Sequence, residues 1–137
     1  MTGVLLVFML GAIGCGKRES VNHGPEGMYN LRSVAKAYTV TAARVRPPKC
    51  VEDIMPVLRE IGNPEELLRS VRDGKPYTIV WGIDIRQPMA GTAPVIACEQ
   101  QGKDGKRQAI DLKMKVREYT AEEFAALKLP QSPESPK

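Results

Sequence analysis

"PVIACEQQGKDGKRQAIDL", residues 94–112, holds two strand-like runs, 95–100 and 107–112, on either side of Gly-Lys-Asp-Gly. Asp104-Gly105 is the specific signal in it. Asp and Gly tolerate the left-handed backbone that a two-residue hairpin turn demands, and such turns match the twist of the strands they join. The stretch therefore predicts an antiparallel hairpin.

Working outward, residues 116–119 have the composition of a further short strand. Thr120 with Glu123 then forms a capping box for a last helix over 121–127, whose Phe124 and Leu127 can pack back on the sheet. Upstream, "DGKPYTIVWGIDI" opens on an Asp73-Gly74 turn, and the β-branched and aromatic run 77–85 predicts a strand. Before that the pattern is helical. Leu31, Val34, Ala35, Tyr38 and Ala42 recur at spacings of three and four, which lays one apolar stripe along a first helix. Pro47-Pro48 breaks it, because proline cannot donate to a helix ladder and forces extended geometry before it.

A second helix fits residues 51–61. Glu52 and Asp53 stand in its first turn, where the dipole favours anions; Ile54, Val57, Leu58 and Ile61 lie on one side, and Gly62 is a stop. Pro56 sits inside it. Asn63 as cap, Pro64 at the first helical position and two acidic residues after it start a short third helix to about residue 71. Helices first and antiparallel strands later predict an α+β domain over residues 28–129: N-terminal helices, a small antiparallel sheet and a short C-terminal helix. The proline-broken "PQSPESPK", residues 130–137, is expected as a frayed tail.

The chain has 137 residues, 42% of them apolar, enough for one small domain with a modest core. Its 20 Lys and Arg against 16 Asp and Glu leave a formal charge of +4. The two signs alternate along the chain, the pattern of a solvated surface and not of a nucleic-acid footprint, so no nucleic acid is expected as a partner.

The N-terminus has a different character. "GVLLVFMLGAI", residues 3–13, is an uncharged run of eleven residues, about the length of a signal-peptide hydrophobic region and short of the roughly 20 that span a bilayer. Small side chains at Ala12 and Gly14 leave room for a peptidase, and Cys15 follows directly. Residues 1–14 are expected as a signal peptide. The polar stretch "GKRESVNHGPEG" makes 15–27 a flexible linker. The bland alternative is a buried N-terminal helix or strand with an ordinary core cysteine.

Ala12-Ile13-Gly14-Cys15 resembles the lipobox of bacterial lipoproteins, with Ala12 where that family usually has leucine. The resemblance implies cleavage before the cysteine, acylation of the Cys15 thiol and often of the freed amine. Two or three acyl chains, at about 0.8 kcal/mol per buried methylene, hold a protein to a bilayer where a single chain does not. It further implies a lipid-anchored location at the cell envelope, facing the periplasm or the exterior, with the membrane and an envelope protein as partners.

A second resemblance rests on Asn30-Leu31, Pro47-Pro48, the 94–112 hairpin and Thr120 to Phe124. In that order they are similar to small envelope proteins of planctomycete-type bacteria whose globular part looks like a type II secretion pseudopilin. It implies a pseudopilin-like shape. The chain has "DLKMK" where those relatives carry an Asp-Gly turn, and no glutamate at the start of a long apolar helix such as filament assembly needs.

Catalytic signals are sparse. The single imidazole, His23, falls in the expected linker, and no His/Cys metal cluster, phosphate loop or nucleophile elbow occurs, so no cofactor, metal or enzymatic activity is expected. Asp84, placed on the predicted 77–85 strand, reads as a strand-end residue facing water or pairing with Arg86 before it reads as an acid-base group. Trp81 offers a ring for stacking on a sugar or a partner, or for filling a core poor in aromatics. With Cys15 acylated, Cys50 and Cys98 remain as an even pair in an oxidising compartment. A bridge between them would close a loop of about 50 residues, worth roughly 4 kcal/mol in the chain-entropy model; the alternative is that each packs as a small apolar residue. The functions consistent with these signals are a non-enzymatic envelope lipoprotein for protein interaction or scaffolding, a pseudopilin-like secretion component, and a small glycan or peptidoglycan binding module.

Overall fold

A computed structural model describes residues 27–86, 91–127 and 129. The expected signal peptide, Cys15, His23 and the 130–137 tail lie outside the described residues. The element order is α1 (Met28–Arg44), α2 (Val51–Ile61), α3 (Pro64–Leu67), β1 (Thr78–Ile79), β2 (Val95–Cys98), β3 (Lys106–Asp111), β4 (Val116–Thr120) and α4 (Ala121–Ala126). All strand pairs are antiparallel and the sheet order is β1-β2-β3-β4. The fold is α+β, as the sequence predicts.

The apolar stripe of α1 is fully buried: Leu31, Val34, Ala35 and Tyr38 meet Ile54, Val57 and Leu58 of α2, with Ile79, Ile96 and Ile110 of the sheet beneath. Helix α2 runs through Pro56. Proline there removes one bond to the carbonyl of Glu52, but Pro56 and Glu52 are both exposed, so water can serve that carbonyl. At its end the N–H of Gly62 donates to Leu58 O over 2.9 Å.

Two predicted elements are shorter than their sequence patterns. Helix α3 keeps its Asn63 cap, whose side chain accepts from the Glu65 N–H at 3.0 Å, but it stops at Leu67 and not near residue 71. From there the chain folds back on itself: the Ser70 N–H bonds Lys75 O, the Tyr77 N–H bonds Leu68 O, and Arg69 bridges Pro76 around the Asp73-Gly74 turn. The 77–85 strand contracts to Thr78–Ile79. Val80 still donates to Ile96 O, but the buried Tyr38 hydroxyl donates to Val80 O at 2.9 Å and accepts the Ile83 N–H at 3.0 Å. That pair of bonds folds the chain over Gly82, whose φ is +81°. Asp84 is therefore in a loop and not on a strand.

The hairpin turn is as predicted. Lys103 and Lys106 exchange both backbone bonds, at 2.9 and 3.0 Å, and Asp104 and Gly105 have φ of 54° and 73°, the signs of a type I′ turn. The β3–β4 turn solves the same problem differently. Asp111 Oδ1 accepts from the N–H groups of Lys113 and Lys115, and Met114, a non-glycine residue, takes the left-handed position with φ 64°.

Helix α1 lies on one face of the sheet, with α2 and α3 packed against α1, and α4 lies on the other face. A register shift between Val95 and Ala97 puts a bulge in β2. It breaks the two-residue alternation, so Ile96 and Ala97 both join the core under α1, while Val95 and Cys98 pack with Ala109, Phe124 and Leu127 on the α4 side. The four-residue apolar run is thus buried throughout.

Candidate functional site

Two places gather polar groups against apolar surroundings. The first is at the end of the sheet where α1 begins. Glu99 follows the apolar run of β2 and is 1% exposed. Ser70 donates to its Oε1 at 2.6 Å and the Gln108 N–H to its Oε2 at 2.8 Å, and Arg72 Nε lies 3.6 Å from Oε1. The Arg72 side chain is itself 6% exposed; it pairs with Glu118 at 2.9 Å and donates to the carbonyls of Lys103 and Lys106. Asp73 adds three backbone contacts, from Lys75, Gln101 and Gly102. Burial works against its charge, but those N–H groups prevail and hold its carboxyl below the ordinary aspartate value. Burial, with the Glu99 carboxylate nearby, pushes the Tyr77 phenol well above its usual range, and its hydroxyl donates to Gly27 O at 3.3 Å. This cluster ties the 69–77 loop, the hairpin turn and the start of α1 together.

The second place is a groove of about 490 Å3 on the α4 side of the sheet, within the size range of small-ligand sites. Val80, Ile83, Pro94, Leu127 and Leu129 give it apolar walls. Asp111, Arg117 and Tyr119 are its larger polar members. Asp111 Oδ1 accepts both turn amides, whereas the Arg117 side chain is exposed and makes no hydrogen bond or ion pair among the described residues.

The residues singled out from sequence are scattered. Trp81 is half-buried beside the core, and its ring stacks on Tyr38 with centroids 6.1 Å apart and planes inclined by 19°. One face of the ring is therefore taken by a neighbour. Asp84 accepts the Arg86 backbone N–H at 2.9 Å, an Asx turn in place of the side-chain pair envisaged. Cys50 and Cys98 are both free thiols, Cys50 exposed at the start of α2 and Cys98 buried in β2. Burial pushes the Cys98 thiol up to about 11, against the pull of the Arg107 guanidinium. Cys50 is also raised, by desolvation first and then by Glu52 and Asp53. Both thiols stay protonated near neutral pH, which makes them poor nucleophiles. Among the described residues no group of three His, Cys, Asp or Glu side chains is placed to hold a metal ion, and no helix is long and apolar enough to cross a membrane.

Sequence reasoning missed the Ser70–Glu99–Arg72 cluster. The available signal was Glu99 itself, a carboxylate set directly after four apolar strand residues, since a charge placed there has to be paired. Nothing in the sequence pointed to Arg117. No family model, no curated protein and no solved structure matches this chain.

Proposed function

We propose that the chain is a non-enzymatic lipoprotein of the cell envelope, anchored through acylated Cys15, whose α+β domain binds or scaffolds a partner protein. The observation that carries this reading is the uncharged run 3–13 followed by Ala12-Ile13-Gly14-Cys15. The domain's first described residue, Gly27, stands twelve positions after Cys15, and a linker of the kind the polar composition predicts would at that length reach on the order of 20 Å. That is enough to hold a small domain beside a bilayer. The polar clusters support binding over catalysis. Their carboxylates are committed to backbone amides and to Arg72, and the free thiols are held protonated.

Metabolic labelling with a lipid precursor tests the anchor. Label should enter the native chain and vanish in Cys15→Ser, with the variant released from the membrane fraction; a Cys15→Ser chain that keeps both label and membrane association overturns the reading. A second reading, a pseudopilin-like secretion component, draws on the order of a long first helix, a Pro-Pro break and a small antiparallel sheet. Crosslinking in native membranes that returns no secretion machinery counts against it. The glycan-binding reading depends on Trp81 alone, and a glycan pull-down indifferent to Trp81→Ala removes it.

A further inference from the structure

Strand β4 is the outermost strand on its side of the sheet, and its backbone can be read group by group. In an antiparallel ladder, hydrogen-bonded and non-hydrogen-bonded pairs alternate. The Asp111 N–H donates to Lys115 O, while on the opposite side of β3 the Glu99 N–H donates to Gln108 O. Odd-numbered residues of β3 therefore bond to β4 and even-numbered ones to β2. Through the register Ala109↔Arg117 and Arg107↔Tyr119, Arg117 and Tyr119 turn their backbone groups inward to β3. Val116 and Glu118 turn theirs outward, and no hydrogen bond from the described residues meets them.

The side chains decide what can pair there. Arg117 shares the α4 face with Ala109 and reaches the groove without a partner among the described residues. A two-fold related copy of the chain must pair antiparallel, and two registers engage the outward groups. One sets Arg117 directly against its own copy, the other sets Glu118 against its own copy. Like charges directly opposite destabilise a strand pair, so Arg117 disfavours self-pairing in the first register, while Glu118 in the second is already paired with Arg72 and Lys106. Charged edge strands commonly oppose self-pairing, and here the Arg117 cation also selects an occupant.

We propose that the β4 edge is a docking site for an extended segment of a partner protein that adds as a fifth strand and places a carboxylate opposite Arg117. Val116 and Glu118 supply the four backbone groups of the new ladder. Arg117 sits between them at a non-hydrogen-bonded position, where cross-strand side chains approach most closely. This names a partner class for the protein-interaction reading and rests on it, but it does not require the lipid anchor.

The test uses the full chain in detergent with two five-residue peptides, acetyl-Val-Thr-Glu-Val-Thr-amide and its counterpart with lysine at the centre. The glutamate peptide should slow amide hydrogen exchange at Val116 and Glu118, leaving the inward amides of Arg117 and Tyr119 as they were. The lysine peptide should bind roughly two- to fivefold more weakly, the range of one cross-strand charge pair, and Arg117→Glu should reverse that order. Protection of neither outward amide, or equal binding of the two peptides to the unmodified chain, overturns the proposal. Photo-crosslinking in native membranes reads partner binding anywhere on the domain, so a partner captured by α1 or α2 with an inert β4 edge would sink this inference and leave the broader reading standing.

Discussion

Ser70 donates a 2.6 Å hydrogen bond to Glu99, a carboxylate sealed from solvent between the 69–77 loop and the sheet. The two residues are 29 positions apart, and the bond closes the loop that turns a helical chain into a sheet. With the Gln108 N–H and Arg72 completing the set, Glu99 is the electrostatic centre of that end of the domain.

Removing that centre leaves the Gln108 amide and the Ser70 hydroxyl without their acceptor and takes one of its two carboxylate neighbours from the buried Arg72 guanidinium. Glu99→Ala should cost about 3–5 kcal/mol, the usual cost of breaking one side of a buried pair, measured as a shift in the urea midpoint at unchanged slope. A loss below about 1 kcal/mol would show that Arg72 relaxes to water and that the cluster does not hold the loop.

Tyr38 carries two bonds through one hydroxyl, to Val80 O and from the Ile83 N–H. Tyr38→Phe keeps the ring and its stack on Trp81 but strands both backbone groups. About 1–3 kcal/mol should be lost, and tryptophan fluorescence should shift as the 80–83 loop loosens. Unchanged stability and emission would mean that packing alone sets the end of β1.

Two glycines near the hairpin turn have almost the same φ, 72° for Gly102 and 73° for Gly105, and should differ sharply on substitution. A methyl at Gly105 meets nothing, so Gly105→Ala should cost only the left-handed strain of roughly 1–2 kcal/mol. At Gly102 it would run into the carbonyl oxygen of Lys106; with overpacking added, Gly102→Ala should cost about 3 kcal/mol or more. Thermal melts of the pair settle the ranking, and equal costs would refute the turn geometry.

Asp73 has a depressed carboxyl in the folded state because three backbone amides outweigh its burial. The unfolded chain therefore binds a proton more readily there, and the linked stability is present above the ordinary aspartate value near 4 and disappears as pH falls through the lower folded value. Asp73→Asn should flatten the acid limb of the stability curve and lower stability at pH 7. An acid limb unchanged in the variant would assign that sensitivity to other carboxylates.

The thiols offer a test without mutation of the fold. In native, non-reducing conditions a maleimide should modify exposed Cys50, slowly because its thiol is held protonated, and buried Cys98 only after urea is added. If neither reacts until a reductant is present, the two are bridged and the free-thiol arrangement is wrong.

Much of the architecture is local and was legible as such. The stripe on α1, the bounds of α2, the Asn63 and Thr120 caps and the Asp104-Gly105 turn depend on residues within a few positions of one another, so propensity and periodicity suffice. The failures cluster where distant residues intervene. Residues 77–85 have strand composition, yet Tyr38, some 42 positions away from Val80, captures the backbone and ends the strand after Ile79.

By itself the sequence determined the α+β class, the order of elements and the hairpin, and it raised the leader-like run before Cys15 only as an expectation about location. Tertiary structure decided where charge is buried, that Trp81 has one face covered, and which backbone groups of β4 look outward. Periodicity states which residues face inward but not which neighbour they meet. The pairing of Ser70 with Glu99 and the parity of β3 arise only once segments remote in the chain are held at hydrogen-bonding distance.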